Sequence, residues 1–237
     1  MSRGPIQVVL LDLDGTLLDT APDLIDTTQV LLARHQRPPI HPGHLRPVVS
    51  HGSAAILARA FNLALNDPAM EPLREEFLAE YRDRVSRCTR PFAGMPELLA
   101  DLERMGLRWG VVTNKPAWLT LPLLDDLDLL DRCACVVCGD TVPGRKKPHP
   151  DPIRHACELL GIHPSQAVLV GDARRDVTAA QDAGSRSVIA LFGYLCAEDQ
   201  PGRWGADACI EQPMHLLDWL RGLAQVEPQR RAAPALS

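Results

Sequence analysis

Aromatic residues are scarce, only 4% of 237 residues, so a core must be assembled from Leu, Val, Ile and Ala. No apolar run approaches the roughly 20 residues of a membrane-spanning helix, which excludes a helical span and membrane partners. The N-terminus passes directly into Val8-Val9-Leu10-Leu11-Asp12, a run too short and too soon acidic to read as a secretory leader. Positive charge is in deficit: 25 Lys and Arg face 30 Asp and Glu, for a formal net charge of -5. That balance argues against a nucleic-acid or anionic-membrane surface, but it leaves room for a small phosphorylated ligand held by a local field.

A disulfide framework is also missing. Seven cysteines, an odd number, are scattered among core-type residues, which suits reduced thiols and a cytoplasmic location. Three of them, Cys133, Cys135 and Cys138, fall close together in Cys-Ala-Cys-Val-Val-Cys. The segment reads as a buried strand with no fourth ligand at zinc spacing, so packing is expected there and not metal.

What is present is an alternation. Candidate strands at 6–11, 107–112, 134–138, 166–170, 187–191 and 207–210 are separated by helical patterns near 95–105, 117–130, 151–160, 174–183 and 213–223. Gly106, Gly161 and Gly184 each follow a helical run, as a C-terminal cap would. The strands are continuous apolar runs, which predicts a doubly wound parallel sheet buried on both faces. Between 20 and 90 the alternation stops and only helical periodicity remains. Thr20-Ala-Pro-Asp23 has the form of a helix start with a hydroxyl cap. Leu73, Phe77, Tyr81, Val85 and Cys88 recur on one helical face. The expected organisation is an α/β core at 1–19 and 90–225, an inserted all-helical cap at 20–89, and a disordered tail at 226–237. Oligomeric state is not encoded in any of these features.

Chemistry is suggested at three strand ends and in one basic turn, 145–152, stiffened by prolines. Asp12-Leu-Asp14-Gly15-Thr16 closes the first strand with two carboxylates that project to one side in extended chain. Such a pair repels unless a cation or a shared proton intervenes. Gly171-Asp172 closes another strand, with Asp176 four residues on. Carboxylates from two neighbouring strand ends suit magnesium, a hard cation that takes few protein oxygens. Asp176 reads equally as a support for those ligands or as an acid favouring its helix N-terminus. Thr113 and Asn114 follow a third strand, where a hydroxyl and backbone N–H groups would cradle a phosphoryl oxygen. Lys147, restrained by Pro148, would bring an ammonium to the same place. In the helical insertion, the polar stretch 45–53 with Arg46 and His51 is a candidate substrate loop, or a connector ending in a helix cap at Ser53.

These four elements, in this order, resemble the signature motifs of the haloacid dehalogenase superfamily over about residues 6–220, with a cap like that of its phosphoglycolate phosphatase-like branch. Leu11 stands where many relatives carry an aromatic residue. The resemblance implies a phosphatase in which Asp12 attacks phosphorus, Asp14 serves as acid and then base, and Thr113 and Lys147 hold the phosphoryl group. It further implies magnesium on Asp12, the main-chain carbonyl of Asp14, and Asp172, supported by Asp176. Segments 18–23, 109–116 and 192–207 extend the resemblance to members acting on N-acetylmuramic acid 6-phosphate, with 2-phosphoglycolate as the alternative substrate and a sugar phosphomutase behind it. A phospho-receiver module would share the acids, Thr and Lys, but is about half this length and has no such insertion.

Overall fold

The computed structural model describes residues 4–232, the side chains of 224–232 excepted. Six strands form one parallel sheet: β1 (Val8–Leu11), β4 (Arg108–Val112), β5 (Val136–Val137), β6 (Ala167–Gly171), β7 (Arg186–Ala190) and β8 (Ala208–Ile210). Their order is β5-β4-β1-β6-β7-β8, so chain direction across the sheet reverses at β1. Helices α5 (Met95–Arg104), α6 (Ala117–Asp126), α7 (Asp151–Leu159), α8 (Arg174–Ala183) and α9 (His215–Ala232) complete the expected doubly wound α/β core.

The sequence of β1 explains its central place. All four of its residues are fully buried, and they divide between two cores. Val9 and Leu11 join the larger cluster with α5 and α9, while Val8 and Leu10 join a smaller one with α7 and α8. Truncating such a residue, as in Leu10→Ala, costs about 2–5 kcal/mol.

Between β2 (Leu18–Asp19) and β3 (Arg90–Pro91) lie α1 (Ala21–Arg34), α2 (Pro42–Leu45), a 3-10 turn (Arg46–His51), α3 (Ser53–Phe61) and α4 (Met70–Arg82). β2 and β3 pair antiparallel, Leu18 with Pro91 and Asp19 with Arg90. Asp23, buried in the first turn of α1, accepts hydrogen bonds from Cys88 N, Thr89 N and Thr89 Oγ1 and so fastens the returning chain to the departing one.

Several local expectations need correction. Thr20 makes no capping hydrogen bond; instead Tyr194 Oη accepts from Ala21 N at 2.9 Å. Ser53 is the first helical residue of α3, and Gly52 stands at the cap position. The stripe Leu73, Phe77, Tyr81 and Val85 is buried, but α4 ends at Arg82 and Cys88 is exposed, because Asp23 draws the backbone of 88–89 away from helical pairing. α6 stops short of 130, and Asp128 turns the chain with a left-handed φ of 55°. The stretch expected to be a disordered tail begins at 226; α9 is described through Ala232, and 233–237 lie outside the described residues. Cys135 and Cys138 are buried, and desolvation pushes the thiols of Cys133, Cys135 and Cys138 up to about 12, about 11 and about 11, as suits packing cysteines.

Candidate active site

Strand register brings the expected residues together at the carboxyl edge of the sheet, where open α/β sheets place their ligands. Leu11 lies beside Val170 on one side and Val111 on the other. Asp12, Asp172 and Thr113 therefore emerge from three adjacent strands. Asp12 N donates to Val170 O at 2.9 Å, and Thr113 N to Val137 O at 2.9 Å. Asp176 arrives from the first turn of α8, and the carboxylates of Asp12, Asp172 and Asp176 each offer an oxygen within 4.8 Å of the others. All three are buried.

Three buried carboxylates require compensation, and the cations are unevenly shared. Lys147 Nζ, fully buried, lies 2.9 Å from Asp12 Oδ1 and 2.8 Å from Asp176 Oδ1, and donates to Val112 O at 2.6 Å. Arg175 Nη2 stands 3.5 Å from Asp12 Oδ2. Burial alone would push Asp12 up, but Lys147 and Arg175 outweigh it and hold the carboxyl below its ordinary range. For Lys147 burial acts downward, and Asp12 with Asp176 overcomes it, so the ammonium stays charged.

Asp172 has no comparable partner. Its Oδ2 accepts from Ser50 Oγ and, at 2.9 Å, from Tyr194 N, while its Oδ1 is buried with none. Burial, then Asp12 and Asp176, push its carboxyl up to about 7. Asp12 and Asp172 together form an all-oxygen donor set with an orphaned buried oxygen and surplus negative charge, which fits a hard divalent cation such as magnesium. Asp176 is occupied by Lys147 and by Ala173 N, 3.1 Å from its Oδ2, and so steadies the arrangement.

Two glycines make room for Asp172. Gly15 has φ 87°, and a Cβ there would fall 2.1 Å from Asp172 Oδ2. A Cβ on Gly193 would fall 2.4 Å from Asp172 Cβ and 2.4 Å from Gly15 O. Only a bare backbone fits at either position.

Asp14 is held from the opposite side. Lys115 Nζ donates to Asp14 Oδ1 at 3.0 Å and to Tyr81 Oη at 3.0 Å, with the ammonium 4.6 Å from the Tyr81 ring centre. Burial of Lys115 acts downward, but Asp14 and Tyr81 raise it above its ordinary value. Burial pushes the Tyr81 phenol up to about 12. A residue of α4 is thereby tied through one lysine to the first motif.

Over these groups opens a cavity of about 560 Å³. Asp12, Asp14, Thr113, Asn114, Lys115, Lys146 and Arg175 line its floor side, and Ser50, His51, Ser53, Arg74, Phe77 and Tyr81 its helical side. Two of the expected residues have side-chain partners within the protein. Asn114 uses both ends of its amide on the Lys147 backbone, at 2.8 and 2.9 Å, and so positions that lysine. Arg46 donates to Asp19 Oδ2 at 2.8 Å, lies over the Tyr194 ring and is absent from the cavity wall. His51 does line it. Lys115, Tyr81 and Arg74 were not expected at the site, whereas Ser50 falls in the stretch 45–53 read as a candidate substrate loop, and Arg175, a candidate partner for a substrate carboxylate, faces Asp12. Lys115 could have been suspected, since it lies within a recognised motif.

A carboxylate pair at the carboxyl edge of a doubly wound sheet, with a buried lysine and a magnesium-type donor set, defines a phosphoryl-handling α/β enzyme. The family model described as haloacid dehalogenase-like hydrolase matches residues 9–190. The chain belongs to that family, and its aspartate cluster makes it a phosphatase of the superfamily. Two curated relatives of similar identity bear different names. One is the N-acetylmuramic acid 6-phosphate phosphatase of Pseudomonas aeruginosa, 46% identical over 93% of this chain and 97% of its own. The other is a phosphoglycolate phosphatase of Xylella fastidiosa, 46% identical over 89% of this chain and 91% of its own. Among solved structures, a predicted phosphoglycolate phosphatase from Haemophilus somnus shares the fold with a TM-score of 0.79 at 24% identity, covering 90% of this chain and 97% of that one. Among the described residues no helix is long and apolar enough to cross a membrane.

Proposed function

We propose that the chain hydrolyses the phosphomonoester of a small carboxylate-bearing metabolite through a phosphoryl group carried on Asp12. The observation that supports this best is a cavity lined by Asp12, Asp14 and Thr113, with Lys147 paired to Asp12 and an Asp172 oxygen within 4.8 Å of an Asp12 oxygen. Asp12 Oδ2 would attack phosphorus, because Lys147 and Leu13 N already occupy Oδ1. Asp14 would give its proton to the leaving alcohol oxygen and then take one from the water that splits the acyl phosphate. Lys115 holds Asp14 Oδ1 and leaves Oδ2 for that proton. Thr113 and Lys147 would stabilise the transferring oxygens. Magnesium held by Asp12 and Asp172 would offset the charge on nucleophile and phosphate. The segment 20–89 is proposed as a cap that closes over the cavity and excludes water.

For the substrate, the comparisons favour 2-phosphoglycolate, the alternative in the sequence reading, over N-acetylmuramic acid 6-phosphate, which that reading placed first. The phosphoglycolate name recurs among relatives from several genera and among the similar structures. The second reading keeps support from the Pseudomonas aeruginosa relative and from a cavity of about 560 Å³, roomier than a two-carbon acid requires. Specificity constants for both compounds, at fixed magnesium and pH, test the pair. A preference of about tenfold, or about 1.4 kcal/mol, decides between them. Phosphate release from neither would sink both readings.

A further inference from the structure

A second group of metal-type ligands lies beside the catalytic carboxylates and takes no part in the chemistry above. His51 ends the 3-10 turn Arg46–His51 of the helical segment, while Cys196 and Asp199 sit in the loop after β7. One ligand atom of each lies within 4.8 Å of the others. Imidazole, thiol and carboxylate on three separate side chains form a donor set suited to zinc, and unlike the oxygen-only set of Asp12 and Asp172.

The geometry is already organised. Asp199 N donates to Cys196 O at 3.1 Å, and Cys196 N donates to Asp199 Oδ2 at 2.9 Å, which closes Cys196-Ala-Glu-Asp199 into a tight turn. The Cys196 thiol donates to the same Asp199 Oδ2 at 3.0 Å. The thiol proton is thus shared with a second ligand atom, and it is the proton that a cation would displace. His51 is exposed and Cys196 and Asp199 are half-buried, so an ion reaches them from solvent.

The geometry points to a zinc-type site formed by His51, Cys196 and Asp199 that clamps the helical segment to the core at the cavity mouth. Binding replaces the Cys196 S–H bond by a sulfur–metal bond and releases that proton to solvent. Two consequences follow from position. His51 lines the cavity, so its capture by an ion removes it from whatever occupies the space. Its neighbour Ser50 holds Asp172, so the clamped turn is the one already bonded to a catalytic carboxylate. Zinc at this site therefore inhibits turnover by fixing the turn, without displacing magnesium.

Cobalt(II) chloride is the informative probe, since sulfur-to-cobalt charge transfer requires a thiolate and the aspartate cluster contains none. Titration of the full chain in saturating magnesium is expected to give a charge-transfer band that zinc sulfate abolishes. The band should vanish in Cys196→Ser, weaken in Asp199→Asn, and persist in Cys88→Ser and Cys209→Ser, which alter the two exposed thiols. Zinc inhibition of phosphate release should weaken about tenfold or more in Cys196→Ser. No band in the parent, or a band that survives Cys196→Ser, overturns the site. A band lost in Cys196→Ser with zinc inhibition unchanged overturns the clamp. The spectroscopic arm needs no substrate, so a failure of the phosphatase reading would be seen separately.

Discussion

Lys115 joins Asp14, a residue of the first motif, to Tyr81 of α4, and a double-mutant cycle on the ion pair measures what that junction contributes. At 3.0 Å and an effective dielectric constant of about 20, the gross attraction is about 5.5 kcal/mol. Most of it is offset by desolvation of Lys115, whose side chain is 6% exposed, while Asp14 at 21% keeps part of its hydration. The coupling left over is expected to be about 1–3 kcal/mol. Lys115→Met keeps the length of the side chain and removes the charge; Asp14→Asn keeps shape and removes the opposite one. Urea unfolding of the parent, both single variants and the double variant yields the coupling without reference to catalysis, which Asp14→Asn is expected to abolish. Lys115→Met should destabilise more than the double variant's excess over Asp14→Asn, because only with Asp14 present does it strand a carboxylate. If the two substitutions add to within about 0.5 kcal/mol, the pair is not a structural junction and the reasoning fails.

Asp12→Asn should abolish turnover yet remain folded, since Lys147 keeps Asp176 and Val112 O; steady turnover above a few per cent of the parent would remove Asp12 as the phosphoryl acceptor. The folded-state pKa of Asp172, raised from 3.8 to about 7, makes its protonated form a source of stability that is present at low pH and lost as pH rises toward 7. Magnesium should therefore raise the melting temperature more at about pH 8 than at about pH 5.5, and an equal rise at both would contradict the assignment of Asp172 as a ligand. Arg46→Ala should leave KM and kcat within about twofold and cost about 0.2–1 kcal/mol, as for an exposed ion pair, whereas a large rise in KM would return Arg46 to the substrate loop.

The sheet was legible because each strand carries a short apolar run, even where Arg108 or Arg186 and Ser187 open it, and parallel strands of a doubly wound core put successive acids at one edge. Asp12, Thr113 and Asp172 followed from that logic, and Lys147 from a basic turn in which Pro148 restrains it. The partners of those residues did not, because they arrive from distant chain. Ser50 reaches Asp172 across 122 positions, and Lys115 reaches Asp14 across 101. Asn114 and Lys115 show the limit most plainly. They are adjacent in one loop, yet the amide turns to the Lys147 backbone and the ammonium to Asp14, and composition does not tell which neighbour faces the cavity. The partner of Arg46 was hidden for a related reason: an arginine in a polar loop has many acceptors within reach, and here Asp19 is the one beside it.

The ladder of β2 and β3 has an architectural corollary. With Leu18 opposite Pro91 and Asp19 opposite Arg90, the chain departs for its helical excursion and comes home through a single doorway. Opposed antiparallel residues stand about 5 Å apart, a gap that a two-residue hairpin turn bridges. The sheet is therefore indifferent to what hangs beyond that doorway, provided the two jambs still pair. A different helical module, or a short turn, could be grafted there without shifting the register of β1 against β4 and β6. What such a graft would forfeit is specific: the ammonium–phenol contact of Tyr81 and the serine that steadies Asp172 both live on the excursion side. On the proposed mechanism, the helical module could be exchanged wholesale while Asp12 stays put, but each new module must bring its own way of steadying Asp172.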